Sequence, residues 1–172
     1  MLKKNEKHTK FILTDELISK ILDFINSSDD NSILETFSNY HHADIAEIIE
    51  ELDSEEATYI IKLLDSEKTS DVLMELDDDN REKILKNLSI KEIAEEVEEL
   101  DSDDATDIIS ELPEEKQKKV ISKIIDAEHK ADIKELLKYD EDSAGGLMAK
   151  ELIKVNENWT VTRCVKEMRS QA

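Results

Sequence analysis

The sequence is poor in the residues that interrupt helices. Its 172 residues include two glycines and one proline, and aromatic residues make up only 4%. Sheets and long loops usually need more glycine and proline for their turns. The composition therefore predicts an all-α protein whose helices are joined by short connections.

Cysteines and long apolar runs are equally scarce. Cys164 is the only cysteine, which excludes an intrachain disulfide and is typical of a reducing compartment. No run of about 18 apolar residues occurs, so we expect no direct membrane insertion by this segment. The N-terminus lacks the apolar stretch of a signal peptide.

Basic residues are too few to balance the acids. The 23 Lys and Arg residues face 44 Asp and Glu residues, which gives a formal net charge of −21. This charge argues against nucleic acid or an anionic membrane surface as a partner. It favours cations, or a basic face on another domain.

Leucine recurs every twelve residues through the middle of the chain. The positions are Leu52, Leu64, Leu76, Leu88, Leu100 and Leu112, continued by Ile124 and Leu136. In one continuous helix, successive leucines would point about 120° apart. A unit of one short helix and a turn instead puts each leucine in an equivalent place. The pattern predicts a superhelical solenoid of short helices with a repeat of about 12 residues.

The units share a start signal and an apolar stripe. Asp53 is a candidate N-cap, and Glu56 follows at the spacing of a capping box. The stripe behind it consists of Ala57, Ile60, Ile61 and Leu64. Segment 101–112 repeats this pattern 48 residues later, so we expect Asp101 and Asp104 to start that helix in the same way.

The periodic pattern has clear limits at both ends. A first helix is predicted near Thr14, and a short helix follows around residues 33–37. The pattern breaks at Tyr139, after which residues 152–155 are predicted to form a short strand and Thr160 to cap a helix. We therefore divide the chain into a helical domain, residues 1–138, and the start of an incomplete α/β domain, residues 139–172.

Asp103 and Asp107 are the first candidate metal ligands. They lie four residues apart, on one face of a predicted helix. Two carboxylates in this arrangement suit a hard cation such as Mg²⁺. In a chain this acidic such pairs also arise by chance, and Asp103 is well placed simply to favour a helix N-terminus.

A second candidate is a calcium loop at residues 140–151. Asp140, Asp142, Gly145 and Glu151 fall at positions 1, 3, 6 and 12 of an EF-hand loop. Ala144 does not suit position 5, and a strand is predicted where an EF-hand has a helix. The alternative is a helix end and a glycine turn between two domains.

No arrangement of residues indicates catalysis, so we predict that the chain is not an enzyme. There is no Ser/His/Asp or Cys/His set, no phosphate loop and no zinc spacing. His41 and His42 are adjacent, so on a helix their side chains should point apart, in surface or capping roles.

Residues 139–148, with the sequence YDEDSAGGLM, resemble the junction between the helical N-terminal domain and the first CBS domain of MgtE-type magnesium transporters. The residues from Trp159 to Val161 resemble the early part of that CBS domain. The resemblance extends over essentially the whole chain, including the twelve-residue units. It implies a superhelical N domain followed by a truncated CBS domain.

The resemblance also implies a function. Such proteins are homodimeric, Mg²⁺-selective integral membrane transporters, and this segment would lie at the cytoplasmic face of the cell membrane. Mg²⁺ held between the N domain and the CBS domains of the same or dimer-mate chain favours the closed pore. The matching ligands here are Asp71, Asp103, Asp107 and the carbonyl of Gly146. We expect these carboxylates to lack a basic partner in the local sequence on that face, with CBS carboxylates completing each site.

A different class of protein remains open. Stacked short helices also resemble protein-docking modules such as the middle domains of the flagellar switch protein FliG. On that interpretation the acids only keep a docking scaffold soluble and have no metal-sensing role. The junction sequence favours the transporter.

Overall fold

The computed structural model describes residues 11–140, 142–152 and 155–171, and in these ranges the protein is all-α. Eleven helices occur there: α1 Asp15–Ser27, α2 Asp30–Phe37, α3 His42–Glu50, α4 Ser54–Ile61, α5 Ser66–Glu75, α6 Asp78–Asn87, α7 Ile90–Glu98, α8 Ser102–Ser110, α9 Glu114–Lys123, α10 Ala127–Leu136 and α11 Val161–Gln171. None of these helices has both the length and the apolar character needed to cross a bilayer.

Helices α3–α10, called the helix stack below, pack in alternation. Helix α5 contacts α3 and α7, α7 contacts α9, α4 contacts α6, and α8 contacts α10. The helices α3, α5, α7 and α9 begin 24 residues apart. Two of the predicted twelve-residue units therefore form one structural repeat. Each helix is short and marginal alone, so packing between neighbours must stabilise the stack.

The apolar stripes form one continuous core. Its largest fully buried side chains include Ile45, Ile60, Leu73, Ile93 and Ile108. The last six positions of the twelve-residue pattern are buried: Leu76, Leu88, Leu100, Leu112, Ile124 and Leu136. Leu52 and Leu64 pack against the same core but keep part of their surface exposed. The prediction that these residues are buried at equivalent places is confirmed for the last six positions, and Leu52 and Leu64 are partly buried.

The predicted helix starts are confirmed at α1 and α4. The Thr14 side chain accepts from the Leu17 N–H and caps α1. Asp53 and Glu56 form the predicted capping box of α4. Asp101, in contrast, makes no side-chain hydrogen bond at the start of α8, so the prediction that α8 starts as α4 does is wrong.

The predicted α/β fragment is not seen in the described ranges, which contain no strand. The predicted strand falls partly on residues 153 and 154, outside those ranges, and the neighbouring Leu152 and Val155 are not in a strand. The predicted final helix is present as α11, and Thr160 Oγ1 accepts from the Arg163 N–H at 3.3 Å. The boundary between the two predicted domains stays a prediction.

Candidate metal-binding residues

Helix α8 holds Asp103 and Asp107 at a fixed place on the stack. Ala105, Ile108 and Ile109 bury the opposite side of the helix in the core. Both aspartates remain half-buried at the surface of the stack. The sequence pattern therefore positions them as predicted, on a helix whose orientation is set by its apolar face.

The first turn of α8 concentrates negative charge. Burial raises the pKa of Asp104 above its ordinary value, and the neighbouring charges of Asp103, Asp101 and Glu151 raise it further. Like charges in a partly desolvated place disfavour the ionised form. A cation near this turn would relieve that repulsion.

Asp107 has a basic neighbour that is remote in the sequence. It lies near Arg81 of α6, which is only 9% exposed. Burial works to lower the pKa of Arg81, but the hydrogen bond and charge of Glu111 raise it overall, with contributions from Asp78 and Asp107. The guanidinium donates to Glu111 Oε1 from Nε at 2.8 Å and from Nη2 at 2.6 Å. Arg81 thus ties α6 to the end of α8.

Asp71 lies on α5 and has a histidine neighbour from α3. Its Oδ2 is 3.3 Å from Nδ1 of His42, whose Nε2 lies 3.4 Å from Glu75. These contacts join α5 to α3, and α8 takes no part in them.

The two adjacent histidines do not point apart. Their ring centroids are 3.7 Å apart, because His41 is the extended N-cap of α3 and only His42 is helical. His41 Nδ1 accepts from the Ala43 N–H at 3.4 Å, and Asp44 accepts from the His41 N–H. The capping role that was predicted for the pair is confirmed for His41.

Gly146 lies in the turn after α10, where its N–H donates to Ser143 Oγ at 3.1 Å. The preceding Gly145 packs closely: a Cβ there would lie 2.6 Å from the Tyr139 ring, so a larger residue would displace the ring. Glu151, which an EF-hand would use as its twelfth-position ligand, is bonded instead to Ser102 of α8. This geometry argues against the calcium loop.

The part of the chain that the structure describes does not assemble a complete metal site. Within it, no group of three or more His, Cys, Asp or Glu side chains is placed to hold an ion. Asp103 and Asp107 share one helix, whereas Asp71 and Gly146 belong to α5 and to the turn after α10. The carboxylate donors suit Mg²⁺, but further ligands would have to come from elsewhere.

One titratable contact was not predicted from the sequence. Burial raises the pKa of Glu96 on α7 to about 7, against the opposing effect of its hydrogen bonds to Ser66 and Ser70 on α5. The Ser66 hydroxyl donates to Glu96 Oε2 at 3.1 Å. A glutamate in so acidic a sequence gives no signal that it faces the neighbouring helix, because that depends on the packing.

Residues 40–142 match the family of the MgtE intracellular N domain. The chain belongs to this family. Since the family is a domain of a channel, the prediction that the chain is not an enzyme is confirmed. No curated protein matches the chain at a significant level.

Two solved structures are similar. The cytosolic domain of the Mg²⁺ channel MgtE, in complex with ATP, is 26% identical with a TM-score of 0.78, over 90% of this chain and 63% of that one. The soluble part of a magnesium transporter is 23% identical with a TM-score of 0.76, over 91% of this chain and 62% of that one. The second likeness shows the fold alone. This chain spans less than two thirds of either structure.

Proposed function

We propose that this chain is the Mg²⁺-sensing and gating module of a magnesium transporter. The observation that carries this proposal is the family match, supported by the 26% identical cytosolic domain of a Mg²⁺ channel. In the whole protein the helix stack is an acidic superhelix at the cytoplasmic face of the membrane. A CBS domain follows it from about residue 139, and the full-length chain is an integral membrane homodimer.

In this proposal, the charges of the acidic surfaces explain how Mg²⁺ favours the closed pore. Asp71, Asp103, Asp107 and the Gly146 carbonyl offer oxygen ligands, and CBS carboxylates of the same or dimer-mate chain supply the others. Two acidic surfaces repel each other without a cation, and a shared Mg²⁺ reverses the sign of the interaction. Ion occupancy and the closed pore are then linked, so each favours the other.

The test is a Mg²⁺ titration of the chain extended through both CBS domains, read by protease protection. The parent protein should become protected as Mg²⁺ rises. Replacing Asp103 and Asp107 together by Ala removes two ligands and some repulsion, and lost ligation should dominate. We expect the Mg²⁺ midpoint to rise roughly fivefold or more, the usual scale of coupling between sites.

A matched control removes the same charge elsewhere. Glu47 and Glu51 are also four residues apart and exposed, at the end of α3. Their double Ala variant should keep the parent midpoint. If the Asp103/Asp107 variant also keeps it, these residues are not part of the sensor. Protection of the parent that does not depend on Mg²⁺ at all would favour the docking scaffold instead.

A further inference from the structure

Helix α8 lacks a cap from its own sequence. Asp101 has the extended backbone of an N-cap, but its side chain accepts no capping hydrogen bond. At the equivalent place on α4, Asp53 Oδ1 accepts from the N–H groups of Glu55 and Glu56 at 2.8 and 2.9 Å. The first N–H groups of α8 therefore receive no hydrogen bond from the N-cap side chain.

Glu151 accepts from the first of these N–H groups, that of Ser102. Its Oε1 accepts from the Ser102 N–H at 3.0 Å, and its Oε2 accepts from the Ser102 hydroxyl at 3.0 Å. The Lys150 N–H donates to the same hydroxyl at 3.0 Å. Ser102 is fully buried, so its hydroxyl has both its donor and an acceptor site satisfied by a segment 48 and 49 residues away. A carboxylate at a helix N-terminus is also favoured by the helix dipole.

The same segment is attached to a second helix. Nζ of Lys150 lies 3.1 Å from Glu135 and 4.0 Å from Asp132, both on α10. Helices α8 and α10 pack against each other. Glu151 thus binds the first turn of α8, and the adjacent Lys150 binds acidic side chains of the neighbouring α10.

We propose that Lys150 and Glu151 form a latch that fixes the segment after the helix stack and completes the N-terminus of α8. Opening the latch leaves buried polar groups of Ser102 without partners and frees the first turn of α8. The latch therefore couples the position of the following segment to the helix that carries Asp103 and Asp107. It does not rest on the proposed Mg²⁺ function, since every contact in it is within this chain.

Tryptic cleavage after Lys150 tests the latch directly. Ser102→Ala removes two of its hydrogen bonds and leaves the sequence around Lys150 unchanged. Losing about 1.4 kcal/mol of net hydrogen bonding should speed this cleavage roughly tenfold. Ser54→Ala is the matched control, because Ser54 begins α4 and its hydroxyl accepts from Asn87 rather than from the latch. The control should be cleaved after Lys150 at the parent rate.

A second variant tests the latch even if the Ser102 variant does not fold correctly. Glu151 is exposed, so Glu151→Ala leaves the core untouched. Hydrogen exchange at the Ser102 amide should rise roughly tenfold in this variant, while exchange at the Glu55 and Glu56 amides stays unchanged. Parent rates of exchange at Ser102 in the Glu151 variant would overturn the latch, whatever the Ser102 variant does. Equal acceleration at α4 and α8 would overturn it as well.

Discussion

Helices α4 and α8 carry the same apolar stripe 48 residues apart, yet they hold their first turns in different ways. Helix α4 has a complete capping box in which Asp53 caps the helix and Glu56 accepts from the Asp53 N–H at 3.0 Å. Helix α8 has aspartates at both equivalent positions, Asp101 and Asp104, but relies on Glu151. The repeat thus fixes how each helix packs, while a distant segment decides how α8 begins.

The largest losses of stability should come from core substitutions. They should be equal in the two helices, because the buried faces of α4 and α8 are equivalent. Ile60 on α4 and Ile108 on α8 are both fully buried. Ile60→Ala and Ile108→Ala should each destabilise the protein by about 2–5 kcal/mol, measured by urea denaturation. Ile125→Ala, at an exposed isoleucine, should change little and serves as the control. A large loss at only one of the two helices would break the equivalence of their packing.

Removal of the N-cap side chain should change the stability of the protein at α4 but hardly at α8. Asp53→Ala removes the acceptor of two backbone hydrogen bonds and should lower the free energy of unfolding by about 1 kcal/mol. Asp101→Ala removes no capping bond, so its effect should stay within about 0.5 kcal/mol, as for other surface substitutions. Urea denaturation of both variants measures the difference. Similar losses in both would mean that Asp101 caps α8 after all.

The smallest changes in stability should come from the third residue of each helix, and they should have opposite signs in α4 and α8. Glu56→Gln weakens the capping box of α4 and should destabilise it by a few tenths of a kcal/mol. At the equivalent place on α8, the raised pKa of Asp104 means that the folded state holds its proton more tightly than the unfolded state. Its stabilising effect is present below the ordinary value of 3.8 and is lost as the pH rises through the raised pKa.

Asp104→Asn should therefore stabilise the protein at pH 7 relative to the parent, and the gain should shrink towards pH 3. Thermal melts of both variants across this pH range provide the measurement. Destabilisation by Asp104→Asn at pH 7 would show that the carboxylate has a favourable partner there.

The sequence predicted what depends on nearby residues. The start of α1 near Thr14, the capping box of α4, the stripe of Ile108 and Ile109, and the turn at Gly145 all follow from spacings of a few residues. Three contacts were not predicted: Arg81 with Glu111, Glu96 with Ser70, and Glu151 with Ser102. Each joins residues 26 to 49 positions apart, so it depends on which helices become neighbours.

The candidate metal-binding residues show the same difference between local helix geometry and packing between distant helices. Placing Asp103 and Asp107 on one helix face needed only helix geometry. The charge that Arg81 brings near Asp107 depends on its contact with Glu111 at the end of α8, and the His42 contact of Asp71 depends on the packing of α3 on α5. Helix geometry alone thus predicts that Asp103 and Asp107 share a face, whereas the neighbouring Arg81 and His42 depend on packing between helices.

A double-mutant cycle between Ser102 and Glu151 tests most directly whether α8, unlike α4, is completed from outside. The four proteins of the cycle are the parent, Ser102→Ala, Glu151→Ala and the double variant, with stability measured by urea denaturation. The charge-assisted contact between the two side chains should appear as a coupling energy of about 1 kcal/mol, and the matched cycle of Ser54 with Glu151 should give none. A coupling of about zero in the Ser102 cycle, or equal couplings in both cycles, would contradict the account.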